Sequence, residues 1–71
     1  MTVVFFKGND AVSVVLDESP LVGEEVTVEG FKVGDEPSPP LVKLHGVVAF
    51  KAREIKIGGA HIVRVELEDK P

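Results

Sequence analysis

Two histidines, His45 and His61, and three serines, Ser13, Ser19 and Ser38, are the side chains best suited to chemistry. An imidazole beside a hydroxyl can activate it as a nucleophile, and two imidazoles with a carboxylate can hold zinc. The spacing favours neither. No serine sits in a G-x-S-x-G elbow, and H-x-H and H-E-x-x-H are absent. Carboxylates cluster at Glu24-Glu25 and Asp35-Glu36. Such pairs serve acid–base chemistry when burial separates their pKa values, but these flank turns and read as solvated. Gly58-Gly59 lies between two β-branched runs, where a hairpin turn explains it better than a phosphate cradle. These residues predict no catalytic centre, no metal and no cofactor, and so a protein that is not an enzyme.

Charge is the next feature with chemical consequence. The chain has 71 residues and a net charge of −4, divided unevenly. Residues 1–36 carry a net −6 and residues 37–71 a net +2. The cations Lys43, Lys51, Lys56 and Arg64, with His45, are expected to point outward and to form a mildly basic side. Phosphate binding needs several converging cations, and stacking single-stranded bases needs exposed aromatics. There is no Trp or Tyr, and of the four Phe at least Phe5 and Phe50 read as internal. Nucleic acid is therefore the alternative partner rather than the leading one.

The elements that must position these residues are strands. Fourteen Val, three Ile and two Thr stand against four Ala, five Leu and no Gln. Branching at Cβ suits a pleated surface and restricts χ1 in a helix. Seven Gly and five Pro cut the chain into short runs. Asn9 or Asp10 could cap a helix, but the three Val in the next six residues favour a strand. The pattern predicts six strands, at Thr2–Lys7, Ala11–Leu16, Glu24–Val33, Leu41–Lys51, Arg53–Ile57 and His61–Glu68. Gly34–Pro40, with three prolines, cannot be a central strand and reads as a stiff connector or a binding loop.

Register follows from the turns. A two-residue Gly8-Asn9 turn of type II′ pairs residues whose numbers sum to 17, so Phe5 faces Val12 and Val3 faces Val14. At the other end a three-residue Gly58-Gly59-Ala60 loop pairs Ile55 with Val63, Ile57 with His61 and Glu54 with Arg64. It sets Val63, Val65 and Leu67 inward and Arg64, Glu66 and Glu68 outward. In the middle strand Val42, Leu44, Gly46, Val48, Phe50 and Ala52 share the inner face. Gly30 falls where the alternation of Val26 and Val28 changes phase, which suggests a bulge.

The segment Gly23-Glu-Glu-Val-Thr-Val-Glu-Gly-Phe-Lys-Val33 resembles the first strand of an OB-fold, alternating valines followed by a glycine-marked bend. The resemblance spans eleven residues and implies nucleic-acid or protein binding on one barrel face. It transfers no individual binding residue. An SH3-like barrel has similar strands.

At 7.6 kDa the chain is a single small domain with a thin core. It has no cysteine to staple it. Apolar residues are 44% and charged residues 28%, a globular composition. No apolar run approaches the ~20 residues of a membrane span, so no membrane partner is expected. MTVVFFKGND has no basic n-region or small-residue cleavage site, and a cytoplasmic location is expected. The fold class is all-β: a compact, bent antiparallel sheet or small five- to six-stranded barrel, OB-like or SH3-like. Val4, Phe6, Val15, Val47 and Ile62 fall on outward faces. Of these, Val4, Phe6, Val15 and Ile62 are the expected interface of a non-catalytic binding or assembly module. Its expected partner is protein, including a second copy of itself.

Overall fold

The computed structural model describes residues 1–33 and 41–70. Residues 34–40, the expected loop with Asp35, Glu36 and Ser38, lie outside the described residues. Five strands form one sheet: β1 (Thr2–Lys7), β2 (Asp10–Val15), β3 (Glu25–Phe31), β4 (Leu41–Ile55) and β5 (His61–Glu68). No helix occurs among the described residues, so none is long and apolar enough to cross a membrane.

The sheet order is β2-β1-β5-β4-β3, and a bridge between Val12 and Lys32 brings its two edges together. Ala11 accepts the Val33 N–H at 2.7 Å across this seam. The result is a nearly closed small all-β barrel. Each strand lies beside its neighbours in sequence, so the chain is an up-and-down meander. An odd number of alternating strands ends as it began. The closing contact between β1 and β5 is therefore parallel, and the sheet is mixed rather than wholly antiparallel. An OB-fold threads its five strands as a Greek key. The likeness of residues 23–33 does not extend to the strand order.

The first hairpin has the expected register, from Thr2 opposite Val15 to Lys7 opposite Asp10. Gly8 has φ of 60°, as the first central position of a II′ turn requires. Val3, Phe5 and Val12 are buried, joined by Leu44, Val48, Val63, Val65 and Leu67. Each contributes roughly 1.5–3 kcal/mol by leaving water. No polar side chain is buried among the described residues.

Three expectations are corrected. Arg53–Ile57 is not a separate strand, since β4 runs unbroken for 15 residues to Ile55. The bulge is not at Gly30, where β3 and β4 stay in register, but in β4 between Val48 and Phe50. Gly30 instead lets β3 approach β2: a Cβ there would lie 2.8 Å from Val12 Cγ1. The bulge reverses the phase of β4, so Phe50 faces outward and is 51% exposed, while Lys51 turns to the Val65 side.

The last hairpin is also shifted. Ile55 pairs with His61, Glu54 with Ile62 and Arg53 with Val63. Gly59 N–H bonds Lys56 O at 3.1 Å, and Lys56 N–H bonds Ala60 O at 2.6 Å. The loop thus closes one residue earlier than expected, with Ile57 and Gly58 at its centre. Gly58 takes a φ of 90°, a sign of φ that Ala60 would adopt only under strain. The shift is two positions in pairing, which preserves parity, so Val63, Val65 and Leu67 still face inward.

Candidate functional site

The outer wall of β2, β1, β5 and β4 is built in cross-strand rows. One row runs Val15, Thr2, Ile62, Glu54; the next Ser13, Val4, Arg64, Ala52; the third Ala11, Phe6, Glu66, Phe50. The expected interface residues Val4, Phe6, Val15 and Ile62 therefore share one surface across three adjacent strands. Their exposure differs. Val15 is 80% exposed, while Val4, Phe6 and Ile62 are half-buried. Phe6 is roofed by Arg64, whose guanidinium carbon stands 4.1 Å from the ring centroid. Such a contact contributes about 0.5–1 kcal/mol at an exposed site. Val47 also faces outward, half-buried, on the β3 side of the bulge.

The cations do not converge. Arg64 lies beside Glu66 at 3.2 Å and Glu54 at 3.9 Å, and Lys56 bonds Glu54 at 3.2 Å. Lys51 and Arg64 point to opposite faces, because Lys51 pairs with Val65 while Ala52 pairs with Arg64. Lys43 stands opposite Glu29 on the outer wall of β4. The expected basic side is thus divided over two faces and interleaved with acids.

His45 is the residue whose surroundings the sequence did not reveal. Thr27 is its cross-strand partner. Thr27 Oγ1 lies 2.6 Å from His45 Nδ1, and His45 Nε2 lies 2.9 Å from Glu25 Oε2. An ionised carboxylate only accepts, so Nε2 carries the proton; in the neutral ring Nδ1 accepts from the Thr27 hydroxyl. Lys70 Nζ is 3.2 Å from the other Glu25 oxygen. Lys70 first, and then His45, hold the Glu25 carboxyl below its ordinary range. Hydroxyl, imidazole and carboxylate stand in the order of a nucleophilic triad. Here they lie on an open wall with both charged partners substantially exposed, and they tie β3, β4 and the C-terminal residues together. His61 is exposed beside the hairpin turn, far along β5 from His45 in register. No cluster of metal-ligating side chains occurs among the described residues.

A cleft of about 400 Å³ opens where β2 and β3 part. Phe5, Leu16, Pro20, Leu21, Val26 and Val28 line it, with Glu18 and Glu24 also at its walls. Glu24 Oε1 accepts the Leu21 N–H at 3.0 Å, which shapes the turn that forms one lip. Sequence alternation could not find this cleft, because residues 16–24 carry no period and their placement depends on the seam.

These features define a small, nearly closed five-stranded β-barrel with apolar residues gathered on part of its outer wall and an open seam. No protein-family model matches the chain, and no curated protein or solved structure is significantly similar to it.

Proposed function

We propose that this protein is a non-catalytic binding or assembly module that meets another protein through the outer wall of β2, β1 and β5. The observation that supports this reading is the cross-strand placement of Val15, Ile62, Val4 and Phe6 on one surface, extended by the exposed Phe50. A contiguous apolar patch on a small domain is where association adds the burial that a thin core lacks. The reading takes the module to be cytoplasmic, in keeping with a chain free of cysteine. Arg64 limits the patch by covering Phe6.

The test is association measured by sedimentation, with two variants of opposite expected sign. Val15→Glu places a charge on the exposed part of the wall and should weaken association. Arg64→Ala uncovers Phe6 and should strengthen it. Association that responds to neither change would defeat the reading. Nucleic-acid binding through Lys43, His45, Lys51, Lys56 and Arg64 is the alternative. Its support is the net +2 of residues 37–71. Fluorescence anisotropy with single-stranded DNA at ~50 mM salt, where electrostatic binding is strongest, decides it.

A further inference from the structure

We propose that two copies of this chain pair end to end, each seating the Ile57 turn of its β4–β5 hairpin in the cleft between β2 and β3 of the other. The pairing uses none of Val4, Phe6, Val15 or Ile62, so it stands or falls apart from the outer-wall reading.

The first observation is the turn itself. Ile57 is 103% exposed, the most exposed large apolar residue described, and Ile55 is 75% exposed. A solvent-facing turn ordinarily carries Gly, Pro, Asn, Asp or Ser. Ile57 is not on a slack loop, because the hydrogen bonds from Gly59 to Lys56 and from Lys56 to Ala60 close the turn beneath it. The hairpin therefore presents a fixed apolar knob.

The second observation is a socket of matching character in the same molecule. The seam cleft holds about 400 Å³, within the range of pockets that enclose small ligands and enough for side chains of a turn. Its floor is apolar, from Phe5 and Val28 at the seam to Leu21, which is 70% exposed, and Glu18 and Glu24 stand at its walls.

Charge complementarity selects a second copy as the occupant. The walls of the cleft carry Glu18 and Glu24 and no base. In the hairpin that carries the knob, Lys56 pairs with Glu54 and Lys51 turns to the Val65 side, which leaves the exposed Arg53 as the outstanding charge. Arg53 has no ion pair among the described residues, so it is available to an acidic lip. Knob and socket also lie at the same end of the barrel, where β4 ends and β2 gives way to residues 16–24. Two molecules meeting by that end can exchange knobs about a two-fold axis. The contact closes as a dimer instead of propagating, as it would if knob and socket lay at opposite ends.

Sedimentation equilibrium of the full chain near 100 μM, a concentration that fills dimers of micromolar affinity, tests this. Wild type should be dimeric. Ile57→Glu faces an acidic lip with a carboxylate, and Leu21→Lys faces a basic knob with an ammonium. Each should weaken dimerisation at least about tenfold, the value of one lost apolar anchor. Both side chains are exposed, so circular dichroism should show both variants folded. Mixed in equal amounts, the variants should dimerise again: one contact is restored intact and the other becomes a Glu–Lys pair. Phe50→Ser, two cross-strand rows farther up the outer wall, should leave this dimer unchanged. A monomeric wild type, variants that dimerise as wild type does, or a mixture that stays monomeric would overturn the proposal.

Discussion

At the end of the barrel that carries the β1–β2 turn and residues 68–70, side chains reach across strands to one another. Lys7 Nζ donates to the His45 carbonyl and sits 2.9 Å from Asp69, and Lys32 stands 3.3 Å from Asp10. At the opposite end, where β4 and β5 turn, large apolar residues face water: Val15, Leu21, Val22, Ile55 and Ile57. Its ion pairs stay within the β4–β5 hairpin. The polar ties bring little net free energy, because exposed pairs are screened. They fix the place of Asp69 against β1 and of Lys32 against β2. The exposed apolar side chains bury little surface within one copy, which leaves them free to serve a contact with another.

Substitutions at the two ends should therefore behave differently, and Gly46 is the sharpest case. A Cβ there would run into the Glu68 carbonyl oxygen, a backbone atom with no freedom to move aside. Gly46→Ala should cost about 3 kcal/mol, at the upper end of overpacking effects, read as a lowered urea midpoint. A midpoint equal to wild type would show that the C-terminal end of β5 is not held against β4.

Gly30→Ala should cost less, about 1–2 kcal/mol, because the neighbour it meets is the Val12 side chain rather than backbone. It also separates the seam from the tied end. If the variant melts as wild type does, the β2–β3 closure adds little to the fold.

Acid should act next, and mainly on the tied end. Lys7 lowers the carboxyl of Asp69 below its ordinary 3.8, and Lys70 with His45 lowers that of Glu25 below 4.5. A depressed carboxyl contributes stability that is full above the unfolded value and is lost as pH falls through the folded one. The melting temperature should thus hold down to about pH 5 and decline below it. Lys7→Met should flatten the Asp69 part of that decline. Amide shifts of Asp69 and Lys70 that do not move across this window would break the assignment.

The smallest effect is expected at the apolar end. Ile57→Ser should change the stability of the monomer by no more than about 0.5 kcal/mol, measured at concentrations below any self-association. A larger loss would mean that the knob already has a partner within its own chain.

Much of the barrel was legible in residue type and alternation. β1 and β5 have the expected boundaries, and the Gly8-Asn9 turn produced the pairing of Val3 with Val14 and Phe5 with Val12. Two-residue turns leave one register, and a side-chain period of two then assigns the faces. The second hairpin escaped because Gly58 and Gly59 permit several closures, and only the hydrogen bonds of Lys56 choose between them. The outer-wall residues Val4, Phe6, Val15 and Ile62 were legible as outward. Their union on one surface was not, since it depends on β1 lying parallel to β5.

The residue pattern determined by itself that the fold is all-β, which faces of β1, β2 and β5 are inner, and where the first hairpin turns. These are local properties, set by χ1 restriction and by the period of the pleat. Tertiary structure decided the rest. The bulge at Ala49 has no mark in residue type; it arises where β4 leaves β3 behind and continues against β5 alone, and it turns Phe50 out and Lys51 in. The contact of His45 with Thr27 and Glu25 needs the register of two strands joined through residues 34–40. The cleft exists because β2 and β3 meet at one bridge and then diverge. Each depends on pairing between distant segments, a free energy shared by whole strands and carried by no single residue.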